Sequence, residues 1–161
     1  MVKSIPEGLS SVNAYIILDN PSEAISFYKK ALDAKEVYSL KTPDGMVVHA
    51  EIAIGNTRLM VGAASERMET SSAKTLGGTP VSFVYYTDNI DAVFEKARKA
   101  GMKEKMPVTE QFWGDRMGAL IDPYGMKWSI AQHVRDVSEE EMQNAMRRME
   151  ESCSKEKSSA A

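Results

Sequence analysis

The chain has 161 residues, 43% of them hydrophobic, and a formal net charge of −3, which fits one compact domain or two small halves around a shared core and excludes a disordered chain. Residues 137–161 hold six Glu against four Lys or Arg, so the remainder is near neutral and offers no basic face to nucleic acid. No apolar run reaches the roughly 18–20 residues of a membrane span, and "MVKSIPEGLS" lacks the apolar core of a secretory signal, so the expected setting is the cytoplasm, with no membrane partner.

From the N-terminus, "SVNAYIIL" (11–18) is strand-like. "DNPSEAISFYKKALDA" then starts a helix, with Asn20 as N-cap, Pro21 at the first helical position, and Ala24, Ile25, Tyr28 and Leu32 at helical spacing. Phe27 and Tyr28 read as core. A short strand (36–40), the turn "KTPDG", a longer alternating strand "MVVHAEIAI", the turn "GNT" and the strand "RLMVGA" follow. After a loop of small and polar residues (64–79) the order repeats: strand "PVSFVYYT", helix "NIDAVFEKARKAG", a short strand near 103–107, strand "GDRMGALI", turn "DPYG" and strand "MKWSIAQ". The last segment (137–151) predicts an amphipathic helix with a Ser138/Glu141 capping box and an apolar stripe of Met142, Ala145, Met146 and Met149, packing on the domain or across a dimer. Residues 152–161 read as a disordered tail, and the single Cys153 in it as incidental.

A constant offset of 69 aligns the two halves without a gap, pairing Val12/Val81, Asp19/Asp88, Asn20/Asn89, Lys30/Lys99, Ala31/Ala100 and Ala50/Ala119. Register and element order together indicate an internal duplication. The expected domain spans 6–136, with module one at about 9–64 and module two at about 79–133. Each module's helix covers one sheet face and leaves the other uncovered. Two such faces curved around a cavity would hold a ligand, and the uncovered surface also predicts a homodimer.

Strand alternation puts Val47, His49, Glu51 and Ala53 on one face and Val48, Ala50, Ile52 and Ile54 on the other. His49 and Glu51 are therefore the candidate acid–base pair on the cavity side, the alternative being a rim pair that bonds its neighbours. Trp113, Asp115 and Arg116 in "QFWGDRMG" are a candidate ligand-binding group: an aromatic plane and a guanidinium suit a planar or anionic molecule, whereas a local Asp115–Arg116 pair would be purely structural. His133 reads as a surface residue before a helix. The sequence has no phosphate-cradling loop, dinucleotide fingerprint, CxxC or GxSxG motif.

"NAYIILDNPSEAISFYKKAL", "HAEIAIGNTRLMVG" and "FWGDRMGALIDPYGMKWSIAQH" resemble the vicinal oxygen chelate superfamily (glyoxalase/bleomycin resistance protein/dioxygenase), and within it the PhnB-like group, over roughly 6–136. The resemblance implies an α+β fold: two tandem βαβββ modules forming a curved, mostly antiparallel mixed sheet around a cavity. Some PhnB-like proteins carry a demethylubiquinone methyltransferase label, but no cofactor-binding strand–turn–helix for a methyltransferase is visible.

Metal-dependent members that the chain resembles place ligands on the first and last strands of each module. By register these positions are Asn13, Met60, Ser82 and Ser129. None is a His or a carboxylate, and an amide, a thioether and two hydroxyls are poor donors for a divalent cation. The expectation is a protein without metal or other cofactor that binds a small aromatic or cationic molecule between modules or across a homodimer. The alternatives are a superfamily enzyme (isomerase, lyase or dioxygenase), either recruiting a divalent metal or working through His49 and Glu51, and a dimeric scaffold without ligand.

Overall fold

The computed structural model describes residues 2–159, with side chains through Glu151. Module one consists of β1 (Ala14–Leu18), α1 (Pro21–Leu32), β2 (Lys35–Lys41), β3 (Val47–Ile54) and β4 (Thr57–Ala63). Module two repeats the order as β5 (Ser82–Tyr86), α2 (Ile90–Ala100), β6 (Lys103–Glu110), β7 (Asp115–Ile121) and β8 (Lys127–His133). Each module forms its own four-stranded mixed sheet, ordered β1-β4-β3-β2 and β5-β8-β7-β6. The first and last strands of each module pair in parallel and the remaining ladders are antiparallel.

Both helices start the same way. The Asn20 side chain accepts from the Glu23 amide and the Asn89 side chain from the Ala92 amide, each satisfying an orphan donor of the first turn. The buried stripes of α1 (Ala24, Ile25, Tyr28, Ala31, Leu32) and α2 (Ile90, Phe94, Ala97) meet Ala50, Ile52 and Val61 from one sheet and Leu120, Trp128 and Ile130 from the other in one core. The two helices also pack on each other, joining the modules through their covered sides.

The duplication shows in the strand registers. Tyr15 pairs with Met60 and Val84 with Ser129, so β1/β4 and β5/β8 keep the offset of 69. That offset fails at β7. Glu51 pairs with Met60, whereas Ala119 pairs with Ser129, so β3 and β7 are related by 68. The β3–β4 turn leaves Gly55 and Asn56 between its last paired residues and the β7–β8 turn leaves 122–126, which accounts for the slip. Ala50 and Ala119 are therefore not equivalent: Ala50 is buried beneath the helices, and Ala119 lies on the opposite sheet face.

The C-terminal helix α3 spans Glu139–Ser159, past the expected end at 151; residues 152–159 are helical instead of a disordered tail. No Gly or Pro intervenes there to stop the helix, and Lys155, Glu156 and Lys157 favour it. Residues 160 and 161, and the side chain of Cys153, lie outside what is described. Among the described residues α3 has no extensive interface with either sheet, and Met146 and Met149 are 46% and 53% exposed. No described helix is long and apolar enough to cross a membrane.

Candidate functional site

The sheet faces opposite the helices are open. On module one, cross-strand pairing lays out two rows: Tyr15, Met60, Glu51 and Tyr38, then Ile17, Gly62, His49 and Leu40. Side chains in such rows are neighbours on one face. His49 and Glu51 thus stand on the open face, where alternation places them. Val47 departs from that pattern: it is buried, because a register shift in β2 between Leu40 and Lys41 twists this end of the ladder.

Tyr15 leans over Gly62, where a Cβ would meet its hydroxyl at 2.5 Å. Glycine is required here for close approach, and the approach brings Tyr15 Oη to 3.2 Å from His49 Nδ1. The Tyr15 and His49 rings meet edge to face at 5.5 Å, and Tyr38 is tilted against His49 at 6.3 Å. Tyr15 and Tyr38 remain about half exposed (51% and 50%). Glu51 accepts from Arg58 at 3.2 Å, and both side chains are partly buried. His49 and Glu51 therefore have separate partners, an aromatic hydroxyl and a guanidinium.

The corresponding rows of module two are Val84, Ser129, Ala119 and Met106, then Tyr86, Ala131, Met117 and Thr109. The duplicated scaffold has kept the face and divided the chemistry. The two central rows carry two tyrosines, a histidine and a glutamate in module one but only one tyrosine in module two, whose ionisable groups, Asp115 and His133, stand one pair further along the β7–β8 ladder.

The group Trp113, Asp115 and Arg116 is split by strand alternation. Arg116 turns to the helix side and makes a bidentate pair with Asp91 of α2, 2.8 Å on each arm. Asp115 is buried at 4% exposure; its Oδ2 accepts from Tyr86 Oη at 2.7 Å and Trp113 Nε1 at 3.1 Å, and its Oδ1 lies 2.8 Å from His133 Nδ1. Burial raises the carboxyl, but the hydrogen bonds from His133, Tyr86 and Trp113 outweigh it and hold Asp115 below its ordinary value. The bond to Asp115 lifts the Tyr86 hydroxyl, and the hydrogen bonds to Asp115 and then Asp136 lift His133. The antiparallel β7–β8 register makes this cluster, setting Asp115 opposite His133.

The four positions implied for a metal do not make a donor set. Met60 and Ser129 occupy the central rows of their sheets, Ser82 lies at the start of β5, and Asn13 just precedes β1, with its side chain closing a turn on the Ser10 backbone. An amide already engaged, a thioether and two hydroxyls cannot replace the hydration of a divalent cation. Among the described residues no group of three His, Cys, Asp or Glu is placed to hold one. The residues present do not fit the metal that the resemblance implies.

A crevice of about 560 Å³ lies at the module junction, between the β3–β4 turn and β5, lined by Ile54, Gly55, Thr57, Tyr85, Asp88 and Trp128 among others. None of the candidate site residues lines it. Val84 and Tyr86, from the open face of module two, also line this crevice.

A profile described as the glyoxalase/bleomycin resistance protein/dioxygenase superfamily matches residues 9–130. The chain belongs to this superfamily. An uncharacterised protein of Mycobacterium tuberculosis is 35% identical over 139 residues, covering 84% of this chain and 82% of that one. Escherichia coli protein YjdN is 24% identical over 131 residues, covering 69% of this chain and 86% of its own. Among solved structures, a gene product of Arabidopsis thaliana is 26% identical with a TM-score of 0.63, covering 76% of this chain and 98% of that one. A Bacillus cereus PhnB protein, described as a putative 3-demethylubiquinone-9 3-methyltransferase, is 19% identical with a TM-score of 0.59, covering 76% of this chain and 99% of that one. The last shows likeness of fold alone.

Proposed function

We propose that this superfamily member binds a small planar organic molecule, without metal, on the open sheet face of module one. The observation that carries this reading is the Tyr15–His49–Tyr38 surface: three ring systems held together over Gly62, with two of them about half exposed. Rigid aromatic surface of this kind gives stacking area at small entropic cost. The Glu51–Arg58 pair beside it supplies polar contacts that orient a ligand. The unsuitable donor set supports the metal-free part, and Arg58's hold on Glu51 weighs against a free carboxylate base.

In this proposal the working form is a homodimer, the open face being covered by a second copy. Apolar side chains stand about half exposed on both open faces, Leu40 at 49% on module one and Val84 and Tyr86 at 54% and 57% on module two. The central part of a partner's module-two face, with Val84, Ser129 and Ala119, is suited to closing an aromatic, polar module-one face into a binding cup.

A thermal-shift screen of EDTA-treated protein against planar aromatic and aliphatic compounds tests the reading. Planar compounds should raise the melting temperature, and Tyr15→Ala should weaken a confirmed hit about tenfold, the worth of one good ring contact. Stoichiometric tight binding of Zn, Mn, Ni or Fe, or hits insensitive to Tyr15→Ala and Tyr38→Ala alike, would overturn it.

A further inference from the structure

His133, at the end of β8, lies between two carboxylates. Its Nδ1 is 2.8 Å from Asp115 Oδ1 and its Nε2 is 3.1 Å from Asp136 Oδ1. Ionised carboxylates only accept hydrogen bonds, so both ring nitrogens must carry hydrogen for both contacts to exist. Asp115 is buried and also held by Tyr86 and Trp113; Asp136 is fully exposed. One arm of the clasp is therefore fixed in the sheet. The other grips only the segment 134–138, the strap that leads to α3.

The rest of the strap is seated on Gly114. The amides of Val134 and Arg135 both donate to Gly114 O, at 2.9 and 3.1 Å. Gly114 has φ +94, and a Cβ there would lie 2.0 Å from Arg135 O, so the strap crosses directly over a residue that must be glycine. Beyond Asp136, Ser138 caps α3 in a reciprocal box with Glu141, and Arg135 lies 3.9 Å from Glu141. Because α3 has no extensive interface with the sheets among the described residues, its direction is set at this root.

We propose that His133 is a protonation latch: the imidazolium ties Asp136 of the strap to Asp115 of β7, and loss of its proton frees the strap beyond its Gly114 seat, from Asp136 onward, so that α3 can swing. Neutral imidazole keeps one N–H, which stays with the buried Asp115; Nε2 becomes an acceptor facing an acceptor, and Asp136 is released while the proton passes to solvent. The charged groups around His133 agree in sign. Asp115 on β7 and Asp136 on the strap favour the cation, Tyr86 on β5 acts through Asp115, and the nearby cation Arg135 is directed toward Glu141. The latch thus closes below the raised His133 value and opens as pH climbs through it.

Trypsin reads this state at the Arg135–Asp136 bond, since cleavage of a reversibly opening segment follows its open population. The rate in the intact protein, divided by the rate in a peptide of residues 130–142, corrects for the protease's own pH dependence. The ratio should rise about threefold or more between about pH 6.5 and 9. In Asp136→Asn the amide can accept from or donate to Nε2, so the rise should shrink below about twofold. His133→Asn, verified as folded by circular dichroism, should be cut quickly and with no pH dependence. A flat ratio in the wild type, or an undiminished rise in His133→Asn, would overturn the latch.

Discussion

Tyr28 Oη donates to Asp122 Oδ2 at 2.7 Å with both side chains buried, joining α1 of module one to the β7–β8 turn of module two. The same carboxylate accepts from Trp128 Nε1 at 3.0 Å and from the Tyr124 and Met126 amides at 2.9 Å each, so one residue shapes the turn and receives the other module. Burial, followed by the Asp122 charge, holds the Tyr28 hydroxyl well above its ordinary value and keeps it a donor. Tyr28→Phe should cost about 1–3 kcal/mol, because a buried charged acceptor loses a partner. Thermal unfolding checks this: the midpoint should fall by about 2–4 °C per kcal/mol in a chain of this size. An unchanged midpoint would place the inter-module hold in the apolar contacts alone.

Much of this arrangement was legible in the sequence. Asn20 and Asn89 mark both helix starts, and the offset of 69 survives in the parallel ladders. It fails at β7 because a turn length changes pairing without changing composition. Arg116 and Asp115 are neighbours in sequence, but strand alternation sends adjacent side chains to opposite faces. His133 was missed because its partner is 18 residues away. The two lie symmetrically about Tyr124 of the "DPYG" turn, so reflecting the hairpin about that turn would have found them. The Tyr15–His49 contact had no comparable local signal, since it depends on parallel pairing of β1 with β4 and on the space above Gly62.

That space gives a test of the ring surface independent of any substitution in the rings. Gly62→Val would drive a side chain into Tyr15, whose hydroxyl lies 2.5 Å from even the Cβ position. The ring must swing off β4 and lose its contact with His49. Because Tyr15 is half exposed and free to move outward, we expect a stability cost of about 1–2 kcal/mol, in the range of overpacking. Affinity for a planar ligand should fall by at least about tenfold, as for direct loss of the Tyr15 ring. Calorimetric titration separates the two effects.

Arg116 provides the contrasting case. Its pair with Asp91 is bidentate yet lies at the surface, with side chains 37% and 67% exposed, and it sits on the helix side of β7. Arg116→Ala should leave ligand affinity unchanged within about twofold and lower the melting temperature only slightly, because solvent screens an exposed pair. A tenfold loss of affinity would return Arg116 to the binding site.

The Asp115 cluster should give the fold a two-sided pH dependence. Asp115 is held below its ordinary value, so its contribution is present above the unfolded carboxyl value of about 3.9 and is lost as pH falls through the lowered folded one. His133 is raised, so its contribution is complete below the unfolded imidazole value of about 6.5 and is lost as pH rises through the higher folded one. Between these limits Asp115 is charged and His133 protonated, and the cluster is at full strength. Asp115→Asn removes the charge but leaves a side chain that can still accept from Tyr86 or Trp113. The melting-temperature difference between wild type and Asp115→Asn should therefore be greatest at about pH 5–6 and narrow toward both extremes. A difference that stays constant with pH would show that Asp115 acts through shape and hydrogen bonding, without electrostatic coupling to His133.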